Sequence, residues 1–121
     1  MTTIILGVIL ALLGLLGFIS NPLIGANALF GANAAHNLIH IVLGAILLIV
    51  AFRFNKSSAL WLKIIGAIMF FLGLIGVLTV PSAGGMVLGF VAANGASNWL
   101  NFVAGIVIFI AGMQGKGDAG A

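Results

Sequence analysis

The sequence predicts an all-α fold: an integral membrane four-helix bundle built from two transmembrane hairpins that repeat each other in parallel. Three observations carry this reading. Hydrophobic residues make up 64% of the 121-residue chain and charged residues only 4%, with a mean hydropathy of +1.42. A soluble domain carries about 25% charged residues, and four cations and one acid cannot clothe a water-facing surface. Four long apolar runs follow one another at 3–20, 37–53, 59–80 and 97–113. The third observation is that the second half of the chain echoes the first.

Each run approaches the length needed to cross a hydrocarbon core of ~30 Å at 1.5 Å per residue. Ser20, Asn21 and Pro22 stop the first run. Arg53 to Ser58 separates the second from the third, and Pro81 to Gly85 stops the third; proline and glycine are strong punctuators of helices. The runs do not alternate and are about twice the length of a barrel strand, which argues against a β-barrel. Ala26, Asn27 and Ala28 resemble a signal cleavage site. The stretch before the first run has no Lys or Arg, however, so that run is expected to be retained.

The echo is a register of glycines. Gly7, Gly14, Gly17 and Pro22 fall on Gly66, Gly73, Gly76 and Pro81 at a constant offset of 59. Ala32, Asn33, Ala35, Asn37 and Gly44 fall on Ala93, Asn94, Ala96, Asn98 and Gly105 at an offset of 61. The chain therefore reads as one membrane domain over 1–121, with a first repeat at about 3–53, a second at about 59–113, and a flexible tail at 114–121. Two helices per unit give both halves one orientation, related by a pseudo-twofold axis along the membrane normal. Within the helices, Gly7 and Gly14, Gly44 and Ala51, Gly66 and Gly73, and Gly105 and Gly112 stand seven apart on one face. Small residues let helix backbones approach where lipid supplies no hydrophobic drive. These stripes are expected to pack helices together, and some to serve an oligomer or a larger complex.

The cations set topology. Arg53, Lys56 and Lys63 surround the second connection, and Lys116 lies in the tail. The positive-inside rule places these regions and both termini in the cytoplasm and loops 21–35 and 81–96 outside. Those loops are apolar at Leu23, Leu29, Met86, Leu88 and Phe90. They must lie in the interface, fold over the bundle mouth or bury in a partner.

The run His36-Asn37-Leu38-Ile39-His40, four residues before Gly44 and preceded by the loop from Gly31 to Ala35, carries a family resemblance. Together with the small size and four apolar runs, it resembles the bacterial membrane family filed as domain of unknown function 4383. The resemblance implies four helices in a bacterial inner membrane and implies no activity.

His36 and His40 are the candidate ligands. Residues i and i+4 share one helix face at ~6 Å, a spacing that suits two imidazoles on one metal. A zinc site wants further ligands, and the chain has no cysteine, no glutamate and a single acid, Asp118, in the tail. A haem or chlorophyll-type pigment needs only one axial imidazole and an apolar cleft. The other reading is a polar helix start at the outer headgroup level, with Asn33 or Asn37 capping free amides. In the second half, positions 36, 37 and 40 become Ser97, Asn98 and Asn101. Polarity recurs there and imidazole does not, and a capping role would tolerate other hydrogen-bonding residues.

Catalysis is not expected. No catalytic triad or carboxylate pair can form from one acid and no thiol. Four basic residues make no nucleic-acid stripe, and no run holds an ionisable group at its centre for proton-coupled transport. The leading expectation is a structural or accessory membrane protein without a cofactor, assembling as a homo-oligomer or as a subunit of a larger complex. The alternatives are a protein binding a metal or tetrapyrrole through His36 and His40, and an oligomeric pore or transporter.

Overall fold

The structure, a computed structural model, describes residues 1–114. Lys116 and Asp118, with most of the tail, lie outside the described residues. Four helices dominate: α1 (Thr2–Leu16), α2 (Ala34–Arg53), α3 (Ser58–Thr79) and α4 (Gly95–Met113). The last three are long and apolar enough to cross a membrane. One 3₁₀ turn, Asn55–Ser57, links α2 to α3. The end of the bundle carrying this link is called here the turn end; the opposite end, carrying the two longer loops, is the loop end.

The first helix is shorter than the apolar run that encodes it. It spans 15 residues, about 22 Å at the α-helical rise, and stops at Leu16 although apolar residues continue to Ile19. Asn21 supplies the reason. Its amide donates to the Leu16 carbonyl at 2.7 Å and the Ile24 carbonyl at 3.1 Å. Its side-chain oxygen accepts from the Leu23 and Ile24 amides at 2.8 and 2.9 Å. One side chain thus satisfies a terminal helix carbonyl and turns the chain. At an offset of 59 the corresponding residue is Val80, and α3 continues to Thr79.

Both loops contain short strand pairs, where the sequence predicted no strand. β1 (Ile24–Gly25) and β2 (Phe30–Gly31) pair in parallel. β3 (Gly85–Val87) and β4 (Val91–Ala93) pair antiparallel, in register Gly85 with Ala93 and Val87 with Val91. The second loop folds over the bundle mouth: Val80, Val87, Val91 and Ala93 form a buried cluster against Ile39, Leu72 and Ile75. Its turn places Leu88 at φ +54° and Gly89 at φ +86°.

The helices pair as two tight hairpins, α1 with α2 and α3 with α4, on their glycines. A Cβ on Gly44 would lie 2.5 Å from the Ala11 amide nitrogen, and one on Gly66 would lie 2.5 Å from that of Phe109. Gly7 faces the Gly44 carbonyl and Gly66 faces the Gly105 carbonyl. Gly14 meets the Asn37 carbonyl, and Gly73 meets the Asn98 carbonyl. Gly105 packs on Phe70, and Gly112 on Ala59 and Lys63. Ala51, at the equivalent place in the first hairpin, is half-buried. Backbones this close leave no room for larger residues, which is the small-residue mode of helix association. Leu10, Leu43, Leu47, Leu62, Ile65, Met69 and Ile108 then join all four helices in one apolar core.

Candidate functional site

The polar residues of the loop end are gathered between the hairpins. Asn33 and Asn94 hold extended backbone conformations immediately before α2 and α4. Asn33 Oδ1 accepts from the His36 amide at 3.0 Å. Asn94 Oδ1 accepts from the Ser97 amide at 2.9 Å, and Ser97 Oγ accepts from the Asn94 amide at 2.9 Å. These are helix N-caps, the second a reciprocal capping box.

Each cap also reaches into the opposite half. Asn33 Nδ2 donates to the Phe90 carbonyl and Asn94 Nδ2 to the Leu29 carbonyl, both at 3.0 Å. Donors and acceptors alike are related by the offset of 61, so one bond is the image of the other. Two amides thereby tie each loop to the other hairpin.

The histidines lie deeper than a helix start at the headgroup level would place them. His36 is 1% exposed and His40 4%, with Asn101 at 1%. Asn101 of α4 and the β4 backbone at Ala92 close over them, which the one-dimensional run could not reveal. His36 Nδ1 meets the Ala92 carbonyl at 2.7 Å. A carbonyl only accepts, so Nδ1 carries the proton and Nε2 the lone pair. Asn101 Nδ2 donates to that lone pair at 3.1 Å. The Asn101 oxygen then faces His40 and accepts from its Nε2–H at 2.9 Å. A directed chain of hydrogen bonds therefore runs from His40 through Asn101 and His36 to the β4 backbone. The rings meet edge to face with centroids 4.8 Å apart.

Three of the four ring nitrogens are consumed by these bonds. His40 Nδ1 is buried with no partner and, in this tautomer, keeps its lone pair. Any ligation by this pair would pass through that atom. Among the described residues no group of three or more His, Cys, Asp or Glu side chains is placed to hold a metal.

Asn37 and Asn98 occupy a different place, inside the hairpins. The Asn37 side-chain oxygen fills the position a Gly17 side chain would take, and the Asn98 oxygen fills that of Gly76. Neither oxygen has a conventional hydrogen-bond partner. Each faces a glycine Cα–H, a weak contact worth about 0.5–1 kcal/mol. Gly17 and Gly76 stand outside the seven-residue stripes, so spacing alone missed them; their shared offset of 59 was the available signal. Nothing in the sequence singled out the Ala92 carbonyl.

Arg53 and Lys56 lie exposed at the turn end, and Lys63 lies half-buried with its stem over Gly112.

No curated protein and no solved structure matches this chain. The family model described as Domain of unknown function (DUF4383) matches residues 1–114, and the chain belongs to that family.

Proposed function

We propose that this chain is a non-enzymatic structural or accessory subunit of a bacterial inner membrane. In this reading two repeated hairpins are locked into one rigid unit that packs into a homo-oligomer or a larger complex. The observation that carries it is the use of the imidazoles. His36 and His40 spend three ring nitrogens on holding α4 and β4 to α2. The matched Asn33 and Asn94 bonds support a repeat with a pseudo-twofold axis along the membrane normal. Termini and the Arg53–Ser58 connection face the cytoplasm in this proposal, by the distribution of cations. Leu23, Leu29, Met86, Leu88 and Phe90 remain exposed on the loops and offer the assembly surface.

A second reading rests on one atom. His40 Nδ1 is a buried, unpartnered imidazole lone pair, the group that a metal or tetrapyrrole would use. Purification in mild detergent separates the two readings when size, absorption spectrum and metal content are measured on one sample. The structural reading expects a species well above 12.3 kDa after detergent is subtracted, without a visible band or stoichiometric metal. A folded monomer carrying one equivalent of metal or pigment would establish the second reading instead.

A further inference from the structure

Among the described residues no acidic side chain offsets the positive charge of the turn end. Arg53 closes α2 and Lys56 sits in the 3₁₀ turn, both exposed. The sequence from 1 to 114 contains no Asp or Glu at all. Phe54, at φ −140° and ψ 43°, ends the helix and turns the chain. The backbone from Arg53 to Ser57 thereby wraps an open concavity of about 360 Å³, which Arg53, Phe54, Asn55, Lys56 and Ser57 line. The two aromatics beside Arg53 project outward: Phe52 is 69% exposed and Phe54 59%.

Helix-dipole compensation accounts for a cation in the last turn of α2. The positive-inside rule accounts for Lys56 beyond the helix, but neither effect places two exposed phenyl rings beside the charges. A partner for this surface must supply negative charge and apolar depth at the same place. A nucleic acid or an acidic peptide supplies the charge and leaves the rings in water. A phospholipid of the adjacent leaflet supplies both in one molecule, a phosphate for the cations and acyl chains for the rings. Basic residues at a membrane surface attract anionic lipid, and arginine's fork matches phosphate oxygens.

From this we infer that the α2–α3 connection is an anionic phospholipid site, in which Arg53 and Lys56 hold the phosphodiester while Phe52 and Phe54 lie against the acyl chains. Delipidated full-length protein in a non-ionic detergent provides the test, because membrane orientation plays no part in a micelle. Native mass spectrometry reads bound lipid as phosphatidylglycerol or phosphatidylcholine is titrated, and then as inorganic phosphate is added. The expected result is a preference for phosphatidylglycerol on the order of tenfold, unaffected by millimolar phosphate. The variant R53Q/K56Q should bind both lipids alike while melting as the parent does. Equal binding of the two lipids by the parent would overturn the inference. So would displacement of phosphatidylglycerol by phosphate, which would mark a site for the free anion, or a preference that persists in a variant lacking both cations.

Discussion

Asn101 is the residue on which the junction turns. It donates to one imidazole and accepts from the other, so its removal leaves an N–H and a lone pair buried and unpaired. Interhelical hydrogen bonds in membranes average well below their aqueous expectation, near 0.6 kcal/mol with a maximum near 1.7, because the unfolded reference also finds partners. Asn101→Ala breaks two at once and is expected to cost about 1–3 kcal/mol in SDS unfolding titrations. An unchanged midpoint would show that the two bonds contribute nothing. The double change His36→Ser with His40→Asn writes the first half in the image of the second. As surface caps these positions would tolerate it. Buried between helices they should not: serine cannot reach both the Ala92 carbonyl and Asn101, and a loss of about 1–2 kcal/mol is expected. The mutual polarity of positions 36, 40 and 101 was readable from the repeat. Their burial was not, because it depends on where β4 and Asn101 come to lie in three dimensions.

Elements show where spacing is informative and where it fails. The seven-residue glycine stripes locate the α1–α2 and α3–α4 contacts because close approach admits only small side chains. The end of α1 was misplaced because Phe18 and Ile19 continue the apolar pattern while Asn21, two residues on, captures the Leu16 carbonyl. Local side-chain capture overrides hydropathy. The β3–β4 hairpin was illegible for another reason: its strands span three residues each, too few for alternation to register. Gly17 and Gly76 yield a prediction at this scale. Alanine at either position would displace the asparagine oxygen that fills its place and spread the hairpin, costing about 1–3 kcal/mol. Circular dichroism melts of G17A and G76A should fall together; wild-type melting of both would refute the contact. Leu88 yields another. A leucine at positive φ costs about 1–2 kcal/mol relative to glycine, yet it is exposed. Leu88→Gly should therefore hold or raise monomer stability while weakening the assembly, as read by size in mild detergent. Loss of stability with assembly intact would assign Leu88 to the fold instead.

The whole molecule couples two hairpins through one apolar core and one polar junction. Leu10, Leu43, Leu47, Leu62, Ile65, Met69 and Ile108 supply non-directional packing, and the chain from His40 to Ala92 fixes how the hairpins meet at the loop end. Orientation in the bilayer follows from the cations in the proposed topology. Cysteines introduced at Ser57 and Ser82 should divide under an impermeant reagent in intact cells, with position 82 labelled and position 57 spared. The reverse pattern would invert the assignment of the loop end to the outside.

The imidazoles join the hairpins through Asn101. A double-mutant cycle between His40 and Asn101, using His40→Ala, Asn101→Ala and the pair, measures that join as a coupling free energy of unfolding in lipid–detergent bicelles. A favourable coupling of about 0.6–1.7 kcal/mol is expected, the same with and without added metal. Additive losses within about 0.3 kcal/mol, or a coupling that develops only on metal addition, would contradict it.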